Sequence, residues 1–382
     1  MKLTVQKSRL EACVKNLRKV INKKNVLPIM ADIMFDVDEE KKTATLSASD
    51  TEIWLTYTIQ LEDAQGHGKF CVPAQQLQAM MSELKEQPLT LIATTESTNI
   101  FTMAYENGSA HCAIDNADEY PMPAPMKVAT DVCYNFDAGI MNDAIKRSLF
   151  AMSTDETRIV LNGVYLNFHN RQLDTVATNG MIIIRNESPI DENMTSAMIL
   201  PKKVANIMPD IVGDNHVNII THDNFCKVEV QDNIMTIFQF RTIEGKYPNY
   251  NSVIPEASVH TVACDRLTLL SALKAVSPFT NDSSNMVVLA FNQNGVLEIS
   301  GEDVDISSGA NVTIGIEGYY GEPMAIGMKA SAIISILQKL PSSSVILSFD
   351  DPSKAILVRP ADKSEGDDET ITCVLMPMLI ND

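Results

Sequence analysis

The sequence lacks the short motifs that most often indicate catalysis or nucleotide binding. A P-loop (GxxxxGK followed by Ser or Thr) is absent, as are the GxGxxG, GxSxG and HExxH patterns. The usual signatures of phosphate cradling, dinucleotide binding, acyl transfer and zinc proteolysis are therefore missing. Carboxylates are plentiful, but adjacent pairs such as Asp350-Asp351 read as solvated turns. The sequence gives no reason to expect an enzyme, and we expect neither catalytic residues nor a cofactor.

The cysteine and histidine patterns exclude further kinds of site. Seven cysteines are scattered along the chain without a CxxC spacing, which argues against a disulfide framework or a zinc site. The six histidines form no ligand-like pair, so we expect no metal centre. No apolar run approaches the roughly 18 residues of a membrane span, and the first residues show no signal-peptide pattern. We therefore expect a cytoplasmic protein that does not bind membranes.

What the sequence does contain is a threefold internal repeat. The stretch Ser8–Lys24 is amphipathic at helical spacing, with apolar residues along one side and lysines opposite. Alone it could be an ordinary surface helix. The same strand, helix, strand rhythm recurs twice, however, and Leu10 aligns with Met141 and Leu269 at nearly equal steps along the chain. Three units of roughly 128 residues each therefore determine the fold.

Two further markers support the repeat. A second helical pattern begins near Pro73, Pro201 and Lys329, which are evenly spaced in the sequence. A proline marker follows at almost the same interval, and its members are Tyr120-Pro121, Tyr247-Pro248 and Met376-Pro377. Pro209 lies inside the second helical pattern of the middle repeat, and we expect it to kink that helix or end it early.

Each repeat reads as two helices and several antiparallel strands. In Ile53–Ile59 the apolar residues alternate with polar ones, which is typical of a half-buried strand. The proline-rich stretch from Tyr120 separates the first two repeats. We predict an α+β protein with domains at 1–122, 130–253 and 256–382.

Positive charge is scarce but concentrated. The chain carries a formal net charge of −19, yet the six proposed helices (8–24, 74–87, 138–150, 201–212, 265–276 and 329–340) carry +9 and the remainder −28. If the helices share one surface, that surface attracts phosphate while the rest repels it. Lysine is also a good helix former, so propensity remains an alternative explanation.

The apolar stretch Ile371–Ile380 near the C-terminus carries too many apolar side chains for a frayed end. We expect it to dock as a strand or to line a groove.

Seven stretches, spread over the whole chain and in register, resemble the bacterial sliding-clamp family, the beta subunits of DNA polymerase III. They are Met1–Val5, Val26–Ile29, Asp118–Pro121, Leu161–Gly163, Val176–Gly180, Gly245–Tyr250 and Val374–Met378. The resemblance implies three tandem clamp domains, each with two helices packed on antiparallel sheet, that form half of a closed ring. It also implies a head-to-tail homodimer around duplex DNA, bound without sequence specificity, and a non-catalytic processivity role beside the replicative polymerase. An ATP-dependent clamp loader would open the ring.

The resemblance also assigns residues to two surfaces. Lys24, Lys202 and Lys203 match basic DNA-contacting positions of the family, and the helical faces add Lys15, Lys19, Lys146 and Arg147. A groove for short apolar peptides of polymerases, the loader and repair proteins would comprise Leu161, Thr178, Gly180, Met181, Ile182, Ile183, Pro248, Val253, Tyr319, Val374, Leu375, Met376, Pro377 and Met378.

The chain departs from the family pattern inside the groove. Asn179–Ile183 stands where the family commonly reads Asp-Gly-His-Arg-Leu, and Ser252 replaces a basic residue. The groove should therefore be more apolar and less cationic than usual. Two other classes stay open from the residues alone: a multi-domain, β-rich acidic ligand-binding or surface protein without a nucleic-acid role, and an enzyme with a dispersed site.

Overall fold

The computed structural model describes residues 1–22, 24–25, 27–95, 98–123, 132–191, 193–230, 232, 234–362 and 369–380. Some residues of the sequence analysis lie outside this part. They are Lys23, Val26, residues 124 and 125 of the proline-rich stretch, and the predicted domain limits 130 and 382.

Six α-helices lie in the described residues, close to where the repeat predicts them. They are α1 (Lys7–Val20), α2 (Ala74–Met81), α3 (Gly139–Ser148), α4 (Lys202–Val212), α5 (Arg266–Val276) and α6 (Ala330–Lys339). In α1, Leu10, Val14 and Leu17 are buried while Lys15 is exposed, so the amphipathic interpretation is confirmed. Two details of the helix limits differ from expectation, and of the two outcomes expected at Pro209 the early end is excluded. Helix α1 ends at Val20 and not at Lys24, and α4 continues past Pro209 to Val212.

Twenty-five strands lie in the described residues, and all their pairings are antiparallel. In chain order they are β1 (Lys2–Gln6), β2 (Asp32–Asp38), β3 (Thr43–Ser49), β4 (Ile53–Gln60), β5 (Asp63–Gln65), β6 (Gly68–Pro73), β7 (Pro88–Thr94), β8 (Ile100–Tyr105), β9 (Gly108–Ala113), β10 (Val132–Asp137), β11 (Gly163–His169), β12 (Gln172–Thr178), β13 (Ile182–Pro189), β14 (Ser196–Pro201), β15 (His216–His222), β16 (Phe225–Val230), β17 (Met235–Arg241), β18 (His260–Asp265), β19 (Met286–Asn292), β20 (Val296–Asp303), β21 (Ser308–Gly315), β22 (Met324–Lys329), β23 (Ser344–Phe349), β24 (Ile356–Pro360) and β25 (Thr370–Leu375).

The chain divides into two units, one of Met1–Asn142 with Lys203–Thr242 and one of Asp143–Lys202 with Ile243–Asp382. The first contains a five-stranded sheet of order β5-β1-β7-β8-β9 and an eight-stranded sheet of order β10-β15-β16-β17-β4-β3-β2-β6. The second contains an eight-stranded sheet of order β14-β11-β12-β13-β25-β24-β23-β18 and a four-stranded sheet of order β21-β20-β19-β22.

These orders show the same two arrangements three times. Four strands between the two helices of each repeat form β6-β2-β3-β4, β14-β11-β12-β13 or β22-β19-β20-β21. The first strand of each repeat joins the three strands after the second helix, as β1-β7-β8-β9, β10-β15-β16-β17 or β18-β23-β24-β25. Within the chain, the last strand of one repeat pairs with the strand at one end of the preceding repeat's first arrangement, β17 with β4 and β25 with β13. We call these two pairings the first seam and the second seam.

The strand register corrects one marker of the sequence analysis. Ile53 pairs with Phe240 at the first seam, and Ile182 pairs with Leu375 at the second. Met376 therefore corresponds to Arg241 and not to Tyr247. The assignment of Met376-Pro377 to the repeating proline marker is wrong, because the turn between β24 and β25 is longer than its counterpart between β16 and β17.

Burial follows the period of each element. Ile53, Leu55, Tyr57 and Ile59 are buried along β4, which confirms the predicted alternation. Helix α1 packs against α2 and against β3 and β4. Its apolar stripe is thereby removed from water, which is the main source of stability for a helix of this length.

Two carboxyl groups approach each other at the end of the first repeat. Asp32, at the start of β2, is buried, and Asp115 bridges Cys71 of the neighbouring β6 through backbone hydrogen bonds of 2.9 and 3.0 Å. Burial, with the nearby Asp115 as a second cause, raises the pKa of Asp32 to about 7. The Tyr120 hydroxyl donates to the Asp32 carbonyl at 3.4 Å, so this corner anchors the segment that leads out of the first repeat.

Replacing Asp32 by Asn is expected to make stability less sensitive to pH. Above about pH 4 the unfolded chain has released a proton that folded Asp32 keeps up to about pH 7, so the wild-type protein loses stability as the pH rises across this window. Asn has no proton to release. Thermal unfolding from pH 5 to 8 should show a gain in the D32N midpoint, relative to wild type, that grows with pH.

The control is Asp36→Asn on the same strand, where the carboxylate is partly exposed and pairs with Lys69 at 3.2 Å. The unfolding midpoint of D36N should change with pH in the same way as that of the wild-type protein. If the difference in unfolding midpoint between D32N and wild type were the same at every pH, the raised pKa of Asp32 would be contradicted.

Candidate functional site

The basic residues of α1 differ in what they contact. Lys15 is exposed on the face opposite the buried stripe, and Lys24 is exposed beyond the helix end. Lys19 is partly exposed and makes an ion pair of 2.8 Å with Asp210 of α4. Lys15 and Lys24 therefore offer their charge to solvent, while the charge of Lys19 is shared with a carboxylate.

The two adjacent lysines at the start of α4 have different surroundings. Lys202 is exposed. The Lys203 ammonium donates to Asp50 Oδ2 at 2.6 Å, to Asn22 Oδ1 at 2.7 Å and to the Val20 carbonyl. Lys203 thus joins α4 to the C-terminal end of α1 and to the turn after β3.

A similar difference separates the two basic residues of α3. Lys146 is exposed and lies 3.6 Å from Asp143. The Arg147 guanidinium is largely buried, where it pairs with Glu369 and donates to Asn186 Oδ1 at 3.1 Å. Ser188 also donates to Glu369, at 3.2 Å. Arg147 therefore joins α3 to the start of β25, inside the second unit.

The turn between β12 and β13 carries two of the predicted groove residues, Gly180 and Met181. Asn179 Oδ1 accepts from the backbone N–H groups of Met181 and Ile182 at 2.9 and 3.0 Å, and Thr178 Oγ1 accepts from the Gly180 N–H at 3.1 Å. Gly180 has φ +91°, a conformation that favours glycine. The turn holds Met181 outward, with 41% of its surface exposed.

The facing wall is the end of β25 and the segment after it. Ile183 pairs with Val374 across the second seam, so Met181, Ile183, Val374 and Met376 share one face of the sheet. The Met376 N–H donates to the Met181 carbonyl at 2.9 Å. Met376 is 42% exposed, and both methionine side chains meet solvent at the seam.

The C-terminal segment then crosses β22. The Met378 N–H donates to the Gly327 carbonyl at 2.8 Å, and the Met378 carbonyl lies so close that a Cβ on residue 327 would meet it at 2.7 Å. The expectation that this apolar segment docks is thus confirmed: Ile371–Leu375 completes β25, and the residues after it run along the sheet edge.

The remaining predicted groove residues fall into two clusters. Leu161 packs with Val176, Tyr247 and Tyr250, and Ile183 lies against this cluster. Pro248 and the half-exposed Val253 belong to the segment that these two tyrosines anchor. Tyr319 instead belongs to a separate aromatic cluster of the third repeat, with its ring centroid 5.6 Å from that of Phe291 and 5.3 Å from that of His260, both pairs tilted.

Arg158 is a residue of this region that the sequence analysis missed. Its Nη1 lies 2.9 Å from the position that a Cβ on Gly180 would take, and its Nε pairs with Asp155 Oδ2 at 2.9 Å. The guanidinium is therefore a cation beside the turn that carries Met181. Two whole strands, β11 and β12, separate Arg158 from Gly180 in the sequence, so no local pattern indicated this proximity.

The comparisons with known proteins agree along the whole chain. Family models of the DNA polymerase III beta subunit match its N-terminal domain at residues 1–123, its central domain at 135–249 and its C-terminal domain at 251–379. The chain belongs to the DNA polymerase III beta subunit family. The function of this family is that of a sliding clamp, a processivity subunit without catalytic chemistry of its own. The domain limits predicted from the sequence differ by a few residues from the ranges that the family models match, and they remain a prediction.

Relatives and solved structures give the same result. The beta sliding clamp of Synechocystis is 23% identical over 94% of this chain and 96% of its own length, and that of Bacillus subtilis is 24% identical over 99% of both. A Pseudomonas aeruginosa sliding clamp bound to griselimycin and a Thermotoga maritima beta subunit each superpose with a TM-score of 0.89 over 100% of both chains, at 21% identity. At this identity the structural likeness shows the three-domain clamp fold.

Within the described residues, none of the helices combines the length and apolar character that a membrane crossing requires.

Arg147→Met is expected to destabilise the second unit, because it leaves the largely buried Glu369 without its cation. Breaking such a pair costs about 3 kcal/mol, whereas exposed pairs contribute little. Thermal unfolding followed by circular dichroism should show a midpoint several degrees lower. Lys146→Met, one residue earlier on the exposed side, is the control. Its unfolding midpoint should equal that of the wild-type protein. Equal midpoints for the two variants would argue against a structural role for Arg147.

Proposed function

We propose that this chain acts as a sliding clamp in the cytoplasm. Two copies close head to tail into a ring around duplex DNA, without reading sequence, and the ring tethers the replicative DNA polymerase to its template. A hydrophobic groove at the second seam recruits the polymerase, an ATP-dependent clamp loader and other proteins that carry a short apolar peptide.

The observation that carries the proposal is a pair of edge strands that the repeat leaves in the described residues. The seams pair β17 with β4 and β25 with β13. The corresponding strands without such a partner are β9, at the end of the first repeat, and β21, in the third, and each forms an edge of its sheet. A β9–β21 pairing between two copies would repeat the seam geometry and leave neither edge exposed, which is what closure of a ring requires.

Charge supports the interaction with DNA. The helices as observed carry a net charge of +9 on a chain of net charge −19. Within the predicted set, Lys15, Lys24 and Lys202 are exposed, and Lys146 and Lys19 each share their charge with one carboxylate. Contacts of lysine with phosphate are independent of sequence and individually weak, so they steer the duplex without fixing its position.

The contrast between the two seams supports the groove. At the first seam, Glu52 and Arg241 take the positions of Met181 and Met376, and they form an ion pair of 3.4 Å. At the second seam the two methionines are exposed and unbranched, and flexible thioether side chains suit a surface that accepts several partners. An apolar peptide is therefore expected to bind at the second seam.

Proline substitutions in β21 test the dimer. Consecutive N–H groups of an edge strand point alternately toward the neighbouring strand and away from it, so Asn311→Pro and Val312→Pro remove one of each kind. We expect one variant to become monomeric with a nearly unchanged unfolding midpoint, and the other to lose stability through its lost bond to β20. Analytical ultracentrifugation and thermal unfolding measure both effects. Two stable dimeric variants would contradict closure through β21.

Charge in the groove tests peptide recruitment. Met181→Asp or Met378→Asp should weaken binding of a short Leu- and Phe-containing peptide at least tenfold, because a carboxylate would be desolvated in the complex. Isothermal titration calorimetry measures the loss, and the dimer should remain intact. Met235→Asp, at a methionine that is 51% exposed on β17, is the control and should bind normally. Equal affinities for all three variants would exclude the second seam as the binding site.

A further inference from the structure

Lys203 has no hydrogen left to donate to DNA. A lysine ammonium has three N–H donors. In this structure Asp50 Oδ2, Asn22 Oδ1 and the Val20 carbonyl take all three, and the Asp50 side chain is only 6% exposed. Release of the ammonium toward a phosphate would leave a buried carboxylate without its cation, which is costly. The geometry therefore separates Lys203 from its exposed neighbour Lys202.

The three acceptors lie where α1 ends. Val20 is the last residue of α1, and its carbonyl is one of the groups for which a helix terminus provides no partner. A cation at this position also interacts favourably with the negative end of the helix dipole. Asn22 lies two residues after Val20, and the exposed Lys24 lies two residues after Asn22. Lys203 thus holds the end of α1 and Asn22, which precedes Lys24 by two positions in the sequence.

We propose that Lys203 is a positioning residue for DNA binding. It anchors the end of α1 and so holds the ammonium of Lys24 toward the duplex, and it does not itself contact phosphate. The inference rests on the proposed function, in which Lys24 faces DNA.

The internal repeat supplies a variant that separates the two roles. Asp50 Oδ1 accepts from the backbone N–H groups of Glu52 and Ile53 at 3.1 and 2.8 Å, and Asn179 makes the same two bonds in the corresponding turn of the second repeat. Asp50→Asn should therefore keep the turn and lose only the charge that holds Lys203. It also removes a negative charge from the protein, so electrostatics alone predicts unchanged or tighter DNA binding.

The experiment compares the full-length dimer with its Lys24→Met, Lys203→Met and Asp50→Asn variants. Fluorescence anisotropy with a short labelled duplex is recorded over a series of salt concentrations. Under the proposal, D50N binds the duplex roughly 5- to 10-fold more weakly than wild type at about 0.1 M salt. The slope of its logarithmic affinity against logarithmic salt concentration falls by the amount of about one phosphate contact, as for K24M and K203M. Adding D50N to K24M should cause little further loss.

D50N that binds as tightly as wild type or more tightly, beside a weakened K203M, would overturn the inference, since Lys203 would then contact phosphate itself. Asn22→Ala provides a second variant with one acceptor removed and no change of charge, and it should lose part of the affinity. Wild-type affinity in N22A would likewise count against anchoring. Absence of duplex binding by the wild-type dimer would contradict the proposed function instead. Gel filtration and the unfolding midpoint confirm that each variant is a folded dimer.

Discussion

Backbone hydrogen bonds between strands of successive repeats are the interaction on which the rest of the structure depends. At each seam a strand of one repeat continues the sheet of another, as β17 beside β4 and β25 beside β13. These pairings satisfy backbone groups that an edge would leave open, and they set the register of the side chains above them. Met181 lies opposite Met376 for this reason, and Glu52 opposite Arg241. The same rule leaves β9 and β21 at the edges of their sheets, and the proposed head-to-tail dimer would pair them.

The helices combine two uses of positive charge. Lys15, Lys24 and Lys202 meet solvent, whereas Lys203 and Arg147 each join separate elements through a buried carboxylate. In the proposed function, cations paired with buried carboxylates fix the geometry, and exposed lysines face the duplex. The proposal therefore expects fewer phosphate contacts than the net charge of the helices suggests, which is appropriate for a ring that must slide. Weak contacts suffice where closure prevents dissociation.

Local patterns predicted much of this arrangement. The even spacing of the internal repeat predicted the repeated fold, and the periodicity in α1 and β4 predicted which side chains are buried. The partners of Lys203 and Arg147 were not predictable, because Asp50 and Glu369 lie 153 and 222 residues away in sequence. An ion pair between residues so far apart leaves no periodic pattern in the sequence. The long turn before β25 likewise shifted Met376-Pro377 out of the repeat, which only the strand register reveals.

Topological retention on DNA is the central claim, and it is tested most directly by the shape of the template. The protein is loaded with a clamp loader and ATP onto a nicked circular plasmid, the loader is removed in high salt, and half of the sample is cut once with a restriction enzyme. Gel filtration then separates bound from free protein. Protein that stays with the circles and leaves the linear molecules would agree with a closed ring that slides. Equal retention on both forms, or equal loss from both, would contradict it.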